Sequence, residues 1–138
     1  MSLVEFLGDQ PGQGIMPHTD GPMYEERTAT LSLTSGVVME FTPRRKGDID
    51  AIDKDTPLQV LLEPGSLLVF TDDAYIKYCH GIAMGVWQDE TTRDRLLNAE
   101  LIKIVDANDK VVVSRELRYS LTFRHRKWDK QQLNNEEG

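Results

Sequence analysis

Residues 28–41 read TATLSLTSGVVMEF, and this stretch decides the fold class. Through residue 34 polar and apolar side chains alternate with a period of two, the pattern of a strand. Ser35-Gly36 supplies a turn, and Val37-Val38-Met39-Glu40-Phe41, rich in residues that favour strands, reads as the next one. The same pattern recurs downstream. Leu58-Gln59-Val60-Leu61-Leu62 leads through Pro64-Gly65 into Ser66-Leu67-Leu68-Val69-Phe70. Between these pairs, residues 44–56 form a charged loop with almost no core material. A short helical turn is expected around residues 72–77, and residues 84–99 read as an exposed excursion. Two closing strands are expected, at 100–105 and from 110 through 123, flanking the turn Asp106-Ala107-Asn108-Asp109. Many short strands with Gly- and Pro-bearing turns predict a mostly β protein, a sandwich or jelly roll.

A chain of 138 residues suits a single domain over residues 1–138 with one core. Hydrophobic residues at 39% and charged ones at 28% describe a globular sequence and exclude a disordered one. Apolar runs such as Leu67-Leu68-Val69-Phe70 are far too short to cross a bilayer, so no membrane partner is expected. No basic-then-apolar leader opens the chain. The single cysteine, Cys79, excludes an internal disulfide, and the expected location is intracellular, cytoplasmic or nuclear. A net charge of −7 argues against a broad basic surface for nucleic-acid backbone, although residues 115–130 are locally rich in Arg and Lys.

Residues 118–124, Arg-Tyr-Ser-Leu-Thr-Phe-Arg, separate into two faces. Tyr119, Leu121 and Phe123 form an apolar face expected to pack on core, and Arg118, Ser120, Thr122 and Arg124 form the other. A surface strand would show the same alternation. The spacing nevertheless suits something more specific. Two arginines six residues apart lie roughly 20 Å apart along a strand. Each reaches inward by about 6 Å, leaving a gap that suits a short dicarboxylate. Arginine's planar fork is made for bidentate carboxylate binding, and Ser120 and Thr122 leave the space between open.

The chain has three histidines: His18, His80 and His125. His125 reads as a surface or packing residue. His80, in Tyr78-Cys79-His80-Gly81-Ile82, would alone be read as a half-buried core histidine. His18-Thr19-Asp20 places two ligand types on the same side of an extended segment. With His80 they make two imidazoles and one carboxylate, the facial set of non-haem Fe(II) oxygenases, although zinc accepts the same donors.

Taken together, these elements resemble the AlkB family of Fe(II)- and 2-oxoglutarate-dependent dioxygenases. That family's pattern is His-x-Asp, a distant His, then Arg-x-Asn-x-Thr-x-Arg. It is met here by His18-Thr19-Asp20, His80 and the run from Arg118 to Arg124, with Ser120 in place of Asn. Residues 11–18 (PGQGIMPH), 21–24 (GPMY), His80-Gly81-Ile82 and Ser120 look most like one eukaryotic branch, that of the sixth human AlkB homologue.

The resemblance implies a double-stranded β-helix, a cupin-like jelly roll with a few short helices. It implies Fe(II) held by His18, Asp20 and His80, which would then be the catalytic centre, and 2-oxoglutarate as cosubstrate. Arg118 would take the distal carboxylate, Arg124 would lie near the other, and Ser120 and Thr122 would line the pocket. Molecular oxygen would decarboxylate the cosubstrate to succinate and CO2 while an unactivated C–H bond is hydroxylated. In well-studied members that bond is on an N-alkyl group of a nucleobase in DNA or RNA, and demethylation follows. Two departures accompany the likeness. The chain is expected to lack the N-terminal segment that forms a nucleotide-recognition lid. Val4-Glu5-Phe6-Leu7 stands where the family has Asn-x-Tyr, which weakens the hold on 2-oxoglutarate. Two other functions therefore stand beside nucleobase demethylation: the same chemistry on a protein side chain, or a catalytically weak metal-binding module serving a protein partner. No motif specifies the oligomeric state.

Overall fold

The computed structural model describes residues 2–44, 57–102 and 108–127. Ten strands dominate it: β1 (Ser2–Asp9), β2 (Ile15–His18), β3 (Tyr24–Ser32), β4 (Val37–Pro43), β5 (Leu58–Leu62), β6 (Leu67–Thr71), β7 (Tyr78–Ile82), β8 (Gln88–Thr92), β9 (Lys110–Ser114) and β10 (Arg118–Arg126). One short helix, α1 (Asp72–Ile76), lies where a helical turn was expected. Eight strands form two four-stranded sheets, in the orders β1-β10-β3-β6 and β2-β7-β4-β5, and β8 pairs with β9. Every strand pairing is antiparallel. This is a jelly-roll-like β-sandwich. The turns at Ser35-Gly36 and Pro64-Gly65 do not close hairpins: β3 and β6 belong to the first sheet, β4 and β5 to the second, so each turn carries the chain between sheets.

The main core fills the space between the sheets with Val37, Met39 and Phe41 of β4, Val60 and Leu62 of β5, Phe70, Tyr75 and Ile82. A second cluster of Val38, Leu61, Leu96, Ile102 and Val111 packs on the opposite face of β4 and β5. Burying each such aliphatic or aromatic side chain contributes roughly 1.5–3 kcal/mol against exposure.

Three expectations are corrected by the structure. Residues 84–99 are not an exposed excursion, because 88–92 form β8 with Asp89 and Thr91 buried, and Leu96 joins the second cluster. These polar side chains go inside because they find partners: Asp89 accepts from the Val38 amide, and the Thr91 hydroxyl donates to Gln59. The strand paired with β9 is β8, not 100–105; residues 99–101 form a 3₁₀ turn, and 103–107 lie outside the described residues, as does most of the 44–56 loop. The closing strand is also interrupted, since β9 ends at Ser114 and β10 begins at Arg118.

The third correction concerns orientation. On β10 the polar face points inward, with Arg118, Ser120 and Thr122 buried, while Phe123 is 38% exposed. The same inversion holds on β3, where Thr28, Thr30 and Ser32 are buried. Register carries it to β1, where Glu5 and Asp9 face inward and Val4 and Phe6 face out, opposite Phe123 and Leu121. The first sheet thus buries a polar stripe against the core and presents Val4, Phe6, Phe123, Leu67 and Val69 on its outer side. Burying a polar stripe is costly unless it is satisfied, so its partners define the site.

Candidate metal and carboxylate-binding site

His18 closes β2 and His80 sits in β7, and the two are direct partners across that ladder, with ring centroids 4.4 Å apart. Gly81 makes this approach feasible. A Cβ there would stand 2.7 Å from the Ile15 carbonyl oxygen and 3.0 Å from the Pro17 nitrogen, so only glycine lets β2 lie this close. Asp20 follows on the segment leaving β2, and Gly21 at φ +92° then turns the chain in a conformation that favours glycine. The Tyr75 hydroxyl of α1 donates to the Gly21 carbonyl at 2.7 Å and holds that turn. Burial, together with the charge of Asp20, raises the Tyr75 pKa and keeps the phenol a donor.

The three side chains converge. Asp20 Oδ1 lies 3.7 Å from Nε2 of both His18 and His80, and one donor atom from each residue falls within 4.8 Å of the others. Their protonation suits a metal. Burial above all, aided by His18 and Arg124, pushes His80 down to about 4, so its imidazole is neutral and can donate a lone pair. His18 Nδ1 lies 2.9 Å from the Met16 carbonyl oxygen. A carbonyl only accepts, so Nδ1 donates this bond, and Nε2 is the ring nitrogen turned toward Asp20. Burial alone would raise the Asp20 pKa, but hydrogen bonds from Arg124 and Thr28 outweigh it and hold the carboxyl below its usual range. These bonds run from Arg124 Nη2 to Oδ1 at 3.0 Å and from Thr28 Oγ1 to Oδ2 at 2.6 Å. Two imidazoles and one oriented carboxylate are a donor set that could hold a divalent transition metal.

His18, His80, Arg118, Ser120, Thr122 and Arg124 line one cleft of about 50 Å³, with Thr28, Thr30 and Met39 among the other walls. Six of the seven residues singled out in the sequence therefore share it, and Asp20 stands behind, bonded to Arg124. His125 is exposed on the other face of β10, as its surface reading expected. Both arginines are charge-paired. Arg118 Nη1 donates to Asp9 Oδ2 at 3.0 Å and Nη2 to the Ser32 hydroxyl at 3.2 Å. Arg124 Nη1 donates to Glu5 Oε2 at 2.8 Å. Burial lowers the Arg118 pKa despite Asp9, whereas the hydrogen bonds and charges of Asp20 and Glu5 more than offset burial at Arg124 and raise it. The Nε–H of each arginine is buried and has no protein partner among the described residues. Two such orphaned guanidinium donors fit a bound carboxylate.

Thr28, Tyr75, Glu5 and Asp9 escaped the sequence reading. The signal for the last two was the alternation Leu3, Glu5, Leu7, Asp9, which places both acids on one face of β1.

No family model matches the chain. Over 122 residues it is 34% identical to a zebrafish (Danio rerio) protein called probable RNA/DNA demethylase ALKBH6, covering 84% of this chain and 49% of that protein. It is 32% identical over 116 residues to the tRNA (carboxymethyluridine(34)-5-O)-methyltransferase ALKBH8 of Macaca fascicularis, covering 83% of this chain and 16% of the relative. The mouse ALKBH8 protein gives 28% over the same length and the same coverage. The chain thus spans about half of the ALKBH6 protein and a smaller part of the ALKBH8 proteins. With a His-Asp-His centre inside a jelly-roll sandwich, these likenesses make the chain a relative of the AlkB family, more similar to the ALKBH6 protein than to the ALKBH8 proteins.

Proposed function

We propose that this chain carries an Fe(II)- and 2-oxoglutarate-dependent dioxygenase centre that oxidatively demethylates an alkylated nucleobase. The observation that carries the reading is the convergence of His18, Asp20 and His80 beside a cleft lined by both histidines and both arginines. When bound, iron would supply oxygen activation, coupling conversion of 2-oxoglutarate and O2 to succinate and CO2 with insertion of one oxygen atom into an alkyl C–H bond. The chain's own residues do the rest. His18 and His80 turn Nε2 toward Asp20; Thr28 and Arg124 orient Asp20; Arg118 and Arg124 present guanidinium donors to carboxylates; Ser120 and Thr122 keep the space between them narrow and polar. Hydroxylation of an N-methyl group leaves an N-hydroxymethyl group, which releases formaldehyde and returns the N–H.

The nucleobase target is supported by a separate cavity of about 330 Å³ beside the Asp20 turn. Tyr24 and Tyr75 are among its lining residues, with Arg44 and Lys127 as cations beside Glu26. Aromatic surface with flanking cations suits a base and its phosphate, even on a chain of net charge −7. The test is succinate formation with Fe(II), 2-oxoglutarate and an N-methylated oligonucleotide, read against His18→Ala. Turnover lost in the variant is expected; iron bound without succinate would remove the oxygenase reading. It would favour the weak metal-binding module, a reading that the Asp9 and Glu5 pairing also favours.

A further inference from the structure

We infer that Asp9 and Glu5 of β1 are built-in competitors for the two pocket arginines, so that a dicarboxylate cosubstrate enters only by displacing them. The inference rests on the 2-oxoglutarate reading and adds to it the residues that set cosubstrate affinity. Asp9 lies directly across the ladder from Arg118, and Glu5 lies diagonal to Arg124, on the same inward face. Both therefore arrive from inside the sheet, where a bound carboxylate would approach. The distances, 3.0 Å and 2.8 Å, are those of charge-assisted hydrogen bonds.

The remaining cleft of about 50 Å³ has room for a few water molecules at roughly 15 Å³ each, not for a five-carbon diacid. Opening it is mechanically simple. Among the described residues β1 is an edge strand that pairs with β10 alone, so its acids can withdraw without disturbing β3 or β6. The orphaned Nε–H groups give an incoming carboxylate donors that Asp9 and Glu5 leave unused. Charge decides the cost. Three carboxylates, Asp9, Glu5 and Asp20, already surround the two guanidinium groups, so a dianion gains only what exchange of partners provides.

The experiment is calorimetric titration of 2-oxoglutarate into Mn(II)-saturated protein without oxygen, for wild type, Asp9→Asn, Glu5→Gln and the double variant. A separate Mn(II) titration verifies the metal site in each. Asp9→Asn is expected to tighten binding roughly tenfold, about 1.4 kcal/mol. Glu5→Gln, at a pair whose acid is 45% exposed, should tighten it roughly threefold. Affinity equal to or weaker than wild type in the variants overturns the inference and makes Asp9 a positioning residue for Arg118, with the cosubstrate reading intact. Binding in none of the proteins, with Mn(II) bound, overturns the cosubstrate reading and the inference with it. If Asp9→Asn does not fold, Glu5→Gln decides alone, because Glu5, although on the inward face, is 45% exposed.

Discussion

Thr28→Val tests the metal centre without touching a ligand. The Thr28 hydroxyl donates to Asp20 Oδ2 at 2.6 Å, and the residue is 1% exposed, so no water can replace the lost donor. Valine keeps the shape. The variant therefore leaves one lone pair of a buried carboxylate unsatisfied, which costs about 2 kcal/mol, within the range for hydrogen bonds to charged groups. The same bond fixes which Asp20 oxygen faces the histidines, and loss of such an outer partner weakens metal binding by about 10- to 100-fold. Urea denaturation of the metal-free protein reads the first quantity, and Mn(II) calorimetry reads the second. Thr28→Ser separates them: it keeps the hydroxyl and loses one methyl, so stability falls by about 1 kcal/mol while metal affinity holds. A Thr28→Val protein that loses stability but binds Mn(II) within threefold of wild type would refute the argument, because Asp20 would then not be a ligand oriented by Thr28.

Three more outcomes are expected. His80 is pushed from 6.5 to about 4 chiefly by burial, so the unfolded chain takes up a proton that the fold refuses between those values. Metal-free stability should fall by up to about 3 kcal/mol as pH drops from about 6.5 to 4; the contribution is fully present above 6.5, and an identical pH slope in His80→Gln would refute the assignment. Gly81→Ala should cost about 1–3 kcal/mol and weaken Mn(II) binding together, because its Cβ would push β2, which carries His18, away from β7; stability loss with unchanged Mn(II) affinity would contradict that geometry. Phe70→Ala should cost about 3–5 kcal/mol by denaturant titration, whereas Phe6→Ser, at a side chain 61% exposed, should cost under about 1 kcal/mol; similar costs would show that the outer face of the first sheet is not open.

Period-two alternation made the strands legible, and scarcity made the metal ligands legible: with three histidines and one His-x-Asp, few combinations exist. The arginine strand was legible too, because Arg118 and Arg124 flank small hydroxyls on one face. What alternation does not encode is which face goes inside. Apolar residues normally decide this, and the rule fails on β3 and β10, where the site itself supplies partners for Thr28, Ser32 and Arg118. Once those polar groups are satisfied, burying them no longer carries the full desolvation cost. Asp89 and Thr91 reversed the reading of 84–99 by the same mechanism, through partners distant in sequence.

The two halves of the site are joined by one residue, and this governs how they can be taken apart. Arg124 donates to Asp20 through Nη2 and to Glu5 through Nη1. Removing it would strip the histidine-facing Asp20 oxygen of its donor and at the same time break the Glu5 pair, so the effect of its loss could not be attributed to either. Arg118 makes no bond to Asp20; it reaches Asp9, Ser32 and Ser120. Thr28 hydrogen-bonds Asp20 and neither Asp9 nor Glu5, although it stands opposite Arg124 across the β3–β10 ladder. On the proposed function, Arg118 and Thr28 would report separately on anion binding and metal binding, and coupling between the two would run through the Asp20–Arg124 bond. A metal held by His18, Asp20 and His80 would compete with Arg124 for the Asp20 carboxylate, which would loosen the guanidinium's grip and leave it freer to exchange Glu5 for another carboxylate. On this geometry metal should bind first and favour the diacid, and the free energy linking the two is reciprocal.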